Sequence, residues 1–562
     1  MSARFRVWAP EAGSVELEVG DARRPMAKEP TGWWAGDADA IEYAFSVNGG
    51  APLPDPRSPW QPSGVDGRSR RVDHAAFRWT DAGWRPPPLA EAVFYELHVG
   101  TFTPAGTFEA AIDHLDHLAR LGVTHVELMP VAEFAGARGW GYDGVDLFAP
   151  HHAYGGPEGL KRLVDACHAR GLAVVIDVVF NHLGPSGNYL ERFGPYFTDR
   201  YSTPWGKAIN LDGAGSGEVR RFLFDASSSW LRDYHADGLR LDAVHAMHDA
   251  SATHFLAELA DVVRALGAQL GRPLAVIAES DANDPRLVFG RGASGHGLDA
   301  VWSDDFHHAL HALLTGERQG YYATFGSIAS LARAYENVYV RPQAAATAGL
   351  GGDRFLAYLQ NHDQVGNRAR GDRISESLNA ARLRIGAALV LTSPFVPLLF
   401  QGEEWGTTRP FAYFGDHHEP TLAEAVRAGR RAEFASFGWD PASIPDPEAA
   451  ETFERSKLDW AEPAREPHAS ILEWYRSLVR LRRSTPDLQP APLASVRVRF
   501  DEVRQWLAVR RGDLEVVCNF AGEARAVPVA ATSVVLASAN PSLAASETVL
   551  PPESVAILRR RE

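Results

Sequence analysis

From Ala92 onward, for about 400 residues, short apolar runs alternate with stretches carrying apolar side chains at helical spacing. Such alternation restricts a chain to a parallel sheet whose crossovers are helices. The runs are Ala92–Leu97, Thr124–Met129, Leu172–Val179, Leu239–Asp242, Leu274–Glu279, Ala300–Ser303, Phe355–Gln360 and Val396–Gln401. Eight βα units suffice to close a parallel sheet on itself, so the expected fold is α/β, a (β/α)8 TIM barrel spanning residues 90–487. Phe108, Ile112, Leu115 and Ala119 are spaced for one helical face after the first strand. Ile471, Trp474, Tyr475, Leu478 and Leu481 are spaced for the last barrel helix.

Both flanks are written in a different period. Val15, Leu17 and Val19 alternate with Glu16 and Glu18, and the run Ile41, Tyr43, Phe45, Val47 ends on an Asn48-Gly49 turn signal, so residues 1–89 are expected to form a β-sandwich. Trp84-Arg85-Pro86-Pro87-Pro88 cannot continue a helix or a central strand and reads as the stiff close of that domain. Adjacent Trp33 and Trp34 fit core packing better than a sugar platform in so small a domain. Alternation returns with Val496, Val498 and Phe500, then Trp506 to Val509 and, after an Arg511-Gly512-Asp513 turn, Leu514 to Phe520, giving a C-terminal β-sandwich over 488–562. Arg559-Arg560-Arg561 reads as a short basic tail.

Composition narrows the function. The net charge of -15 repels phosphate backbones and anionic lipid surfaces, so no nucleic acid or membrane partner is expected. The longest apolar stretch, Ile385 to Phe400, is broken by Pro394 and Pro397 and is too short to span a bilayer. Two distant cysteines, Cys167 and Cys518, build neither a disulfide framework nor a zinc site. No charged segment followed by an apolar one follows Met1, and a cytoplasmic location is expected.

Chemistry in such a barrel sits at the carboxyl ends of the strands. Four apolar strands here end in polar residues: Asp177 through Asn181-His182, Arg240-Leu241-Asp242, Ala278-Glu279, and Gln360-Asn361-His362-Asp363. Arg240 and Asp242, two apart on one strand, share a side. The guanidinium favours an ionised Asp242, whereas the apolar run before Glu279 favours its protonated form. One base and one acid on one rim is the requirement of glycoside hydrolysis.

The segments Asp177-Val178-Val179-Phe180-Asn181-His182, Gly238 to His245, Ile277-Ala278-Glu279-Ser280 and Gln360-Asn361-His362-Asp363-Gln364 resemble, in order, the four sequence regions of the α-amylase family. The resemblance implies Asp242 as nucleophile, Glu279 as acid and later base, and Asp363 as the third catalytic carboxylate. It further implies that His182 and His362 bind the sugar at the cleavage position, that Tyr142 lies beneath its ring, and that Arg240 orients Asp242. Asp177 is expected to support Arg240 only. For a retaining enzyme the Asp242 and Glu279 carboxyl groups should lie about 5–5.5 Å apart.

Phe5-Arg6-Val7-Trp8-Ala9-Pro10 is similar to the N-terminal domains of branching, debranching and trehalose-releasing members. Tyr95 to Phe102, Thr203 to Asn210, Gln401 to Gly406, Pro410 to His417 and Gly429 to Phe434 resemble the trehalose-releasing branch. That implies hydrolysis of the α-1,4 bond beside the terminal trehalose of malto-oligosyltrehalose, and functional coupling to a malto-oligosyltrehalose synthase. A glucan branching or debranching enzyme is the alternative, and a non-enzymatic glucan-binding relative a more distant one. Trp205 is the candidate surface for the trehalose unit, with Tyr413 and Asp416 after strand eight as weaker candidates. The loop after strand three carries Asp199 and Asp212 without the clustered spacing calcium prefers, so neither a metal nor an organic cofactor is expected.

Overall fold

The computed structural model describes residues 3–561 apart from 342–346, 348, 436–438 and 441–442. Eight parallel strands close into a barrel: β1 (Phe94–Leu97), β2 (His125–Leu128), β3 (Ala173–Val178), β4 (Gly238–Leu241), β5 (Ala275–Ala278), β6 (Ala300–Trp302), β7 (Phe355–Tyr358) and β8 (Val396–Phe400). Each falls inside, or one residue before, the run expected from the sequence. The interior is filled by Phe94, Val175, Ile277, Trp302, Leu356, Tyr358, Val396 and Leu398, bulky side chains that make this a packed core and not a pore. Each buried residue of this size contributes about 1.5–3 kcal/mol relative to an exposed one.

Register delivers the polar strand ends to one rim. Asp177 on β3 pairs with Arg240 on β4, Leu241 with Ala278 on β5, and the ladder continues past the strand ends, Asp242 N donating to Val178 O at 3.2 Å and Glu279 N to Leu241 O at 2.9 Å. Asp242 and Glu279 are therefore held by backbone hydrogen bonds and not only by loop packing.

The first barrel helix differs from the expected single face. Two short helices, Phe108–Ile112 and Leu115–Leu121, are separated where His114 leaves helical register (ψ -1°) and stacks its ring on Trp460, 3.8 Å between centroids. Phe108, Ala111, Leu115, Leu118 and Leu121 are the buried apolar positions, with Ile112 and Ala119 only partly buried. The final helix, His468–Ser484, buries Ile471, Trp474, Tyr475 and Leu478 as spaced, with Leu481 packed at its margin. Gly122, at φ 96°, ends the first-helix pair. A Cβ there would lie 2.7 Å from a methyl of Val479 on the final helix, so the first and last helices meet where no side chain fits.

N-terminal to the barrel, a three-stranded sheet (Ala3–Trp8, Ala27–Lys28, Trp33–Ala38) accompanies a four-stranded one (Val15–Val19, Ala22–Pro25, Glu42–Val47, Ser69–Arg70). Asn48 and Gly49 turn at φ 53° and 72°, as a two-residue hairpin requires. Trp34 is buried and its indole donates to Ala9 O, while Trp33 lies between the guanidiniums of Arg6 and Arg57 at 4.7 and 5.4 Å. The proline-rich segment is pinned to the barrel, since Trp84 donates to Asp237 at 2.9 Å and stacks on His168. C-terminal to the barrel, a five-stranded sheet (Arg497–Asp501, Trp506–Arg511, Leu514–Asn519, Ser554–Arg560, Ala531–Ala537) is accompanied by a three-stranded one. The expected basic tail is instead an internal strand, in which the Arg560 guanidinium faces Glu515 at 3.4 Å. No helix among the described residues is long and apolar enough to cross a membrane.

Candidate active site

Arg240 is the centre of the site. Fully buried at the end of β4, its Nη1 donates to Asp177 Oδ2 at 2.7 Å and Asp242 Oδ1 at 3.0 Å, and its Nη2 faces Glu279 Oε2 at 3.6 Å. Trp302 of β6 stacks beneath the guanidinium at 4.4 Å, an arrangement open to arginine's flat cation. Asn181 Nδ2 donates to Asp242 Oδ2 at 2.8 Å, so each oxygen of that carboxylate is held by a different donor. Glu279 Oε2 accepts from Ala243 N at 2.8 Å, and Ala243 adopts the left-handed φ of 40° to present that N–H.

Three carboxylates around one cation cannot all be ionised without a large local excess of negative charge. Burial lifts Glu279 from 4.5 to about 8 against the opposing pull of Arg240, with Asp242, Asp304 and Asp363 pushing the same way. Asp177 rises less, to about 6, because Arg240 and the Tyr142 hydroxyl, 2.6 Å away, stabilise its charge. At neutral pH the site thus holds a proton on Glu279, the acid nominated from its apolar strand.

Above this layer lie the sugar-facing candidates. His362 is buried, takes both a backbone and a side-chain hydrogen bond to Glu96 of β1, and presents Nε2 to Asp363 Oδ2 at 3.4 Å. Although burial alone would deprotonate it, Asp363 and Glu96 raise its pKa to about 9. Asp363 is partly exposed and accepts from Asn367 Nδ2 at 3.1 Å. Tyr142 stacks on His362, centroids 5.0 Å apart and planes within 22°. Its placement depends on Gly141, whose φ is 96° and where a Cβ would sit 2.2 Å from Pro130 O. Burial lowers the pKa of His182, and its ring is covered by Trp205 at 5.0 Å and 16°.

Trp205 sits at the tip of the hairpin Phe197–Thr203/Gly206–Ile209, with 47% of its surface exposed. The structure brings it to the rim through His182. Tyr413 packs edge-on against Trp140 and carries Arg430 over its ring at 4.5 Å. Asp416 is placed differently: one oxygen accepts from Ala137 N at 2.9 Å and the other from Arg138 at 2.5 Å. Both its oxygens are engaged in tying the loop after β8 to the loop after β2. Asp199 and Asp212, the acids after β3, do not converge. Asp199 is largely exposed, and Asp212 accepts from Tyr201 and Ala250.

Three residues not nominated from the sequence complete the site. Asp304, two residues past β6, accepts from Tyr358 and has its pKa raised to about 6 by burial. Glu96 anchors His362, and Trp302 backs Arg240. The signal for Asp304 was a carboxylate just beyond a strand, as for Glu279, but β6 is only three residues long.

The family profile described as "Alpha amylase, catalytic domain" matches residues 70–202, and a "Domain of unknown function (DUF3459)" matches residues 492–557. The malto-oligosyltrehalose trehalohydrolase of Mycobacterium tuberculosis H37Rv is 50% identical over 579 aligned residues, covering 99% of each chain. That of Arthrobacter ramosus is 52% identical, covering 92% of each. Among solved structures, a putative alpha amylase from Salmonella typhimurium superposes with a TM-score of 0.91 at 38% identity, covering 100% of this chain and 98% of that one.

Proposed function

The chain belongs to the malto-oligosyltrehalose trehalohydrolases of the α-amylase family, and from that we propose that Asp242, Glu279 and Asp363 release trehalose from malto-oligosyltrehalose by a retaining hydrolysis of the α-1,4 bond beside it. The observation that carries the reading is the buried guanidinium of Arg240 facing both Asp242 and Glu279. Held by Arg240 and Asn181, the Asp242 carboxylate attacks the anomeric carbon while Glu279 gives its proton to the departing oxygen of the trehalose unit. Glu279, now ionised, takes a proton from water as that water cleaves the glycosyl ester, and the starting protonation is restored. Asp363 and cationic His362 hold the hydroxyls of the same glucose, with Tyr142 against the ring.

Trehalose has no reducing end, so its recognition rests on the shape and apolar faces of a 1,1-linked disaccharide. Trp205, backed by His182 and open on its other face, suits that surface. Tyr413 is a second aromatic on the rim, whereas the engaged oxygens of Asp416 favour a loop-bracing role. A substrate with a non-reducing 1,1-linked terminus must come from an enzyme that rearranges the reducing end of a maltodextrin, which supports coupling to a malto-oligosyltrehalose synthase. The same reading has both steps in the cytoplasm, and cell fractionation tests it.

Product analysis tests the assignment. Incubation with malto-oligosyltrehalose should yield free trehalose and the shortened maltodextrin. New α-1,6 linkages, or cleavage confined to branched glucan, would point instead to a branching or debranching enzyme.

A further inference from the structure

In the segment that follows β2, an antiparallel hairpin (Ala132–Phe134 with Gly144–Pro150) and the turn after it bring Glu133, His151 and His152 together. One ligand atom from each lies within 4.8 Å of the other two. Glu133 Oε1 stands 2.6 Å from His152 Nδ1 and 3.2 Å from His151 Nδ1, and Oε2 accepts from His152 N at 2.8 Å. Glu133 and His151 have fully buried side chains, while His152 is partly exposed and offers a way in.

Two features are left unexplained by a plain His152–Glu133 ion pair. His151, enclosed by Phe134 stacked at 3.8 Å and Tyr154 edge-on at 4.8 Å, makes no well-aligned hydrogen bond through either ring nitrogen among the described residues, its Nδ1 only facing Glu133 Oε1 at 3.2 Å. A buried imidazole so poorly satisfied is costly. Asp146, in addition, lies directly across the strand pair from Glu133, and its Oδ2 is buried without a partner. Two carboxylates opposed in this way repel unless a positive charge stands beside them. One divalent cation would engage a His151 nitrogen and offset the paired acids.

We propose that Glu133, His151 and His152 form a structural site for a divalent late transition metal, with zinc as the expected occupant. Two imidazoles and one carboxylate are a donor set for zinc, cobalt or nickel and a poor one for calcium or magnesium. The ligands come from one strand of the hairpin and from the turn that follows the other, and the chain between the two strands carries Trp140 and Tyr142. A metal at the base would hold in place the loop that sets Tyr142 against His362.

The test uses the untagged full-length chain, stripped with chelator and titrated with zinc alone. One equivalent should be retained through gel filtration, the unfolding midpoint should rise with the logarithm of free zinc, and cobalt in its place should give the visible bands of a four-coordinate site. Calcium should produce none of these effects. His151→Gln and His152→Ala should each weaken zinc binding by about 100-fold or more, and His152→Ala, altering a partly exposed side chain, decides the matter if His151→Gln does not fold. Wild-type protein that retains no stoichiometric zinc would overturn the proposal. So would folded variants that bind zinc as the wild type does, since the ion would then lie on surface histidines. Neither substitution touches a catalytic carboxylate, so loss of zinc binding is read independently of trehalose release.

Discussion

At the scale of single residues, the chemistry rests on one proton. Glu279 keeps it to about pH 8 in the folded chain but loses it near 4.5 when unfolded. The favourable contribution of its neutral form is complete below pH 4.5 and is lost as pH rises through 8. Because the acid must enter the reaction protonated, kcat/KM should fall along an alkaline limb centred near pH 8. A profile flat to pH 10 would contradict the assignment. Glu279→Gln should lower kcat by roughly 10²- to 10⁴-fold with KM little changed, and a mutant turning over at a comparable rate would remove Glu279 from the role. Asp242 and Glu279 were legible in the sequence because each ends an apolar strand, Arg240 because it stands two residues before Asp242 on the same side, and Asp363, in the helix His362–Gly366 beyond β7, through the family resemblance. Glu96 was hidden because it lies inside its strand between Tyr95 and Leu97, and nothing local shows that its partner, His362, arrives from 266 residues away.

At the scale of elements, discrimination for the trehalose end resides in a hairpin. Trp205 is fixed on one face by His182 and exposed on the other. Trp205→Ala should therefore raise KM for malto-oligosyltrehalose several-fold more than for a plain maltodextrin, and equal losses on both substrates would reduce the residue to packing. The strands that carry the site were readable from their apolar runs and βα spacing. The hairpin Ala132–Phe134/Gly144–Pro150 was not, because its first strand is three residues long and two register shifts interrupt its pairing, leaving no alternation to see. The split first helix escaped for a related reason: His114 leaves helical register to meet Trp460, a contact between distant parts of the chain that no helical wheel contains.

At the scale of the whole molecule, the flanking sheets share one apolar cluster with the barrel and are fastened to it by buried polar contacts as well. Arg511, 2% exposed, reaches from the C-terminal sheet to the carbonyl oxygens of Thr392 and Gln489, and burial lowers its pKa to about 10. Arg511→Ala strips both carbonyls of a charged donor, at a cost of roughly 3 kcal/mol. Earlier proteolytic release of the C-terminal sheets should report it, and unchanged protection would show that this contact is dispensable. The barrel and its β-rich flanks were legible from hydrophobic period alone, but the fastening was not, since an arginine in a turn signal reads as solvated until the partner surface is present. The same limit explains Arg560, which is drawn into a strand by Glu515.

The most direct measurement follows the anomeric proton of the newly formed maltodextrin end by time-resolved NMR during hydrolysis of malto-oligosyltrehalose. With Asp242 attacking first and water second, that end must appear as the α-anomer and drift to equilibrium only later. Initial appearance of the β-anomer would mean a single displacement by water, and the account of Asp242 as nucleophile would be wrong.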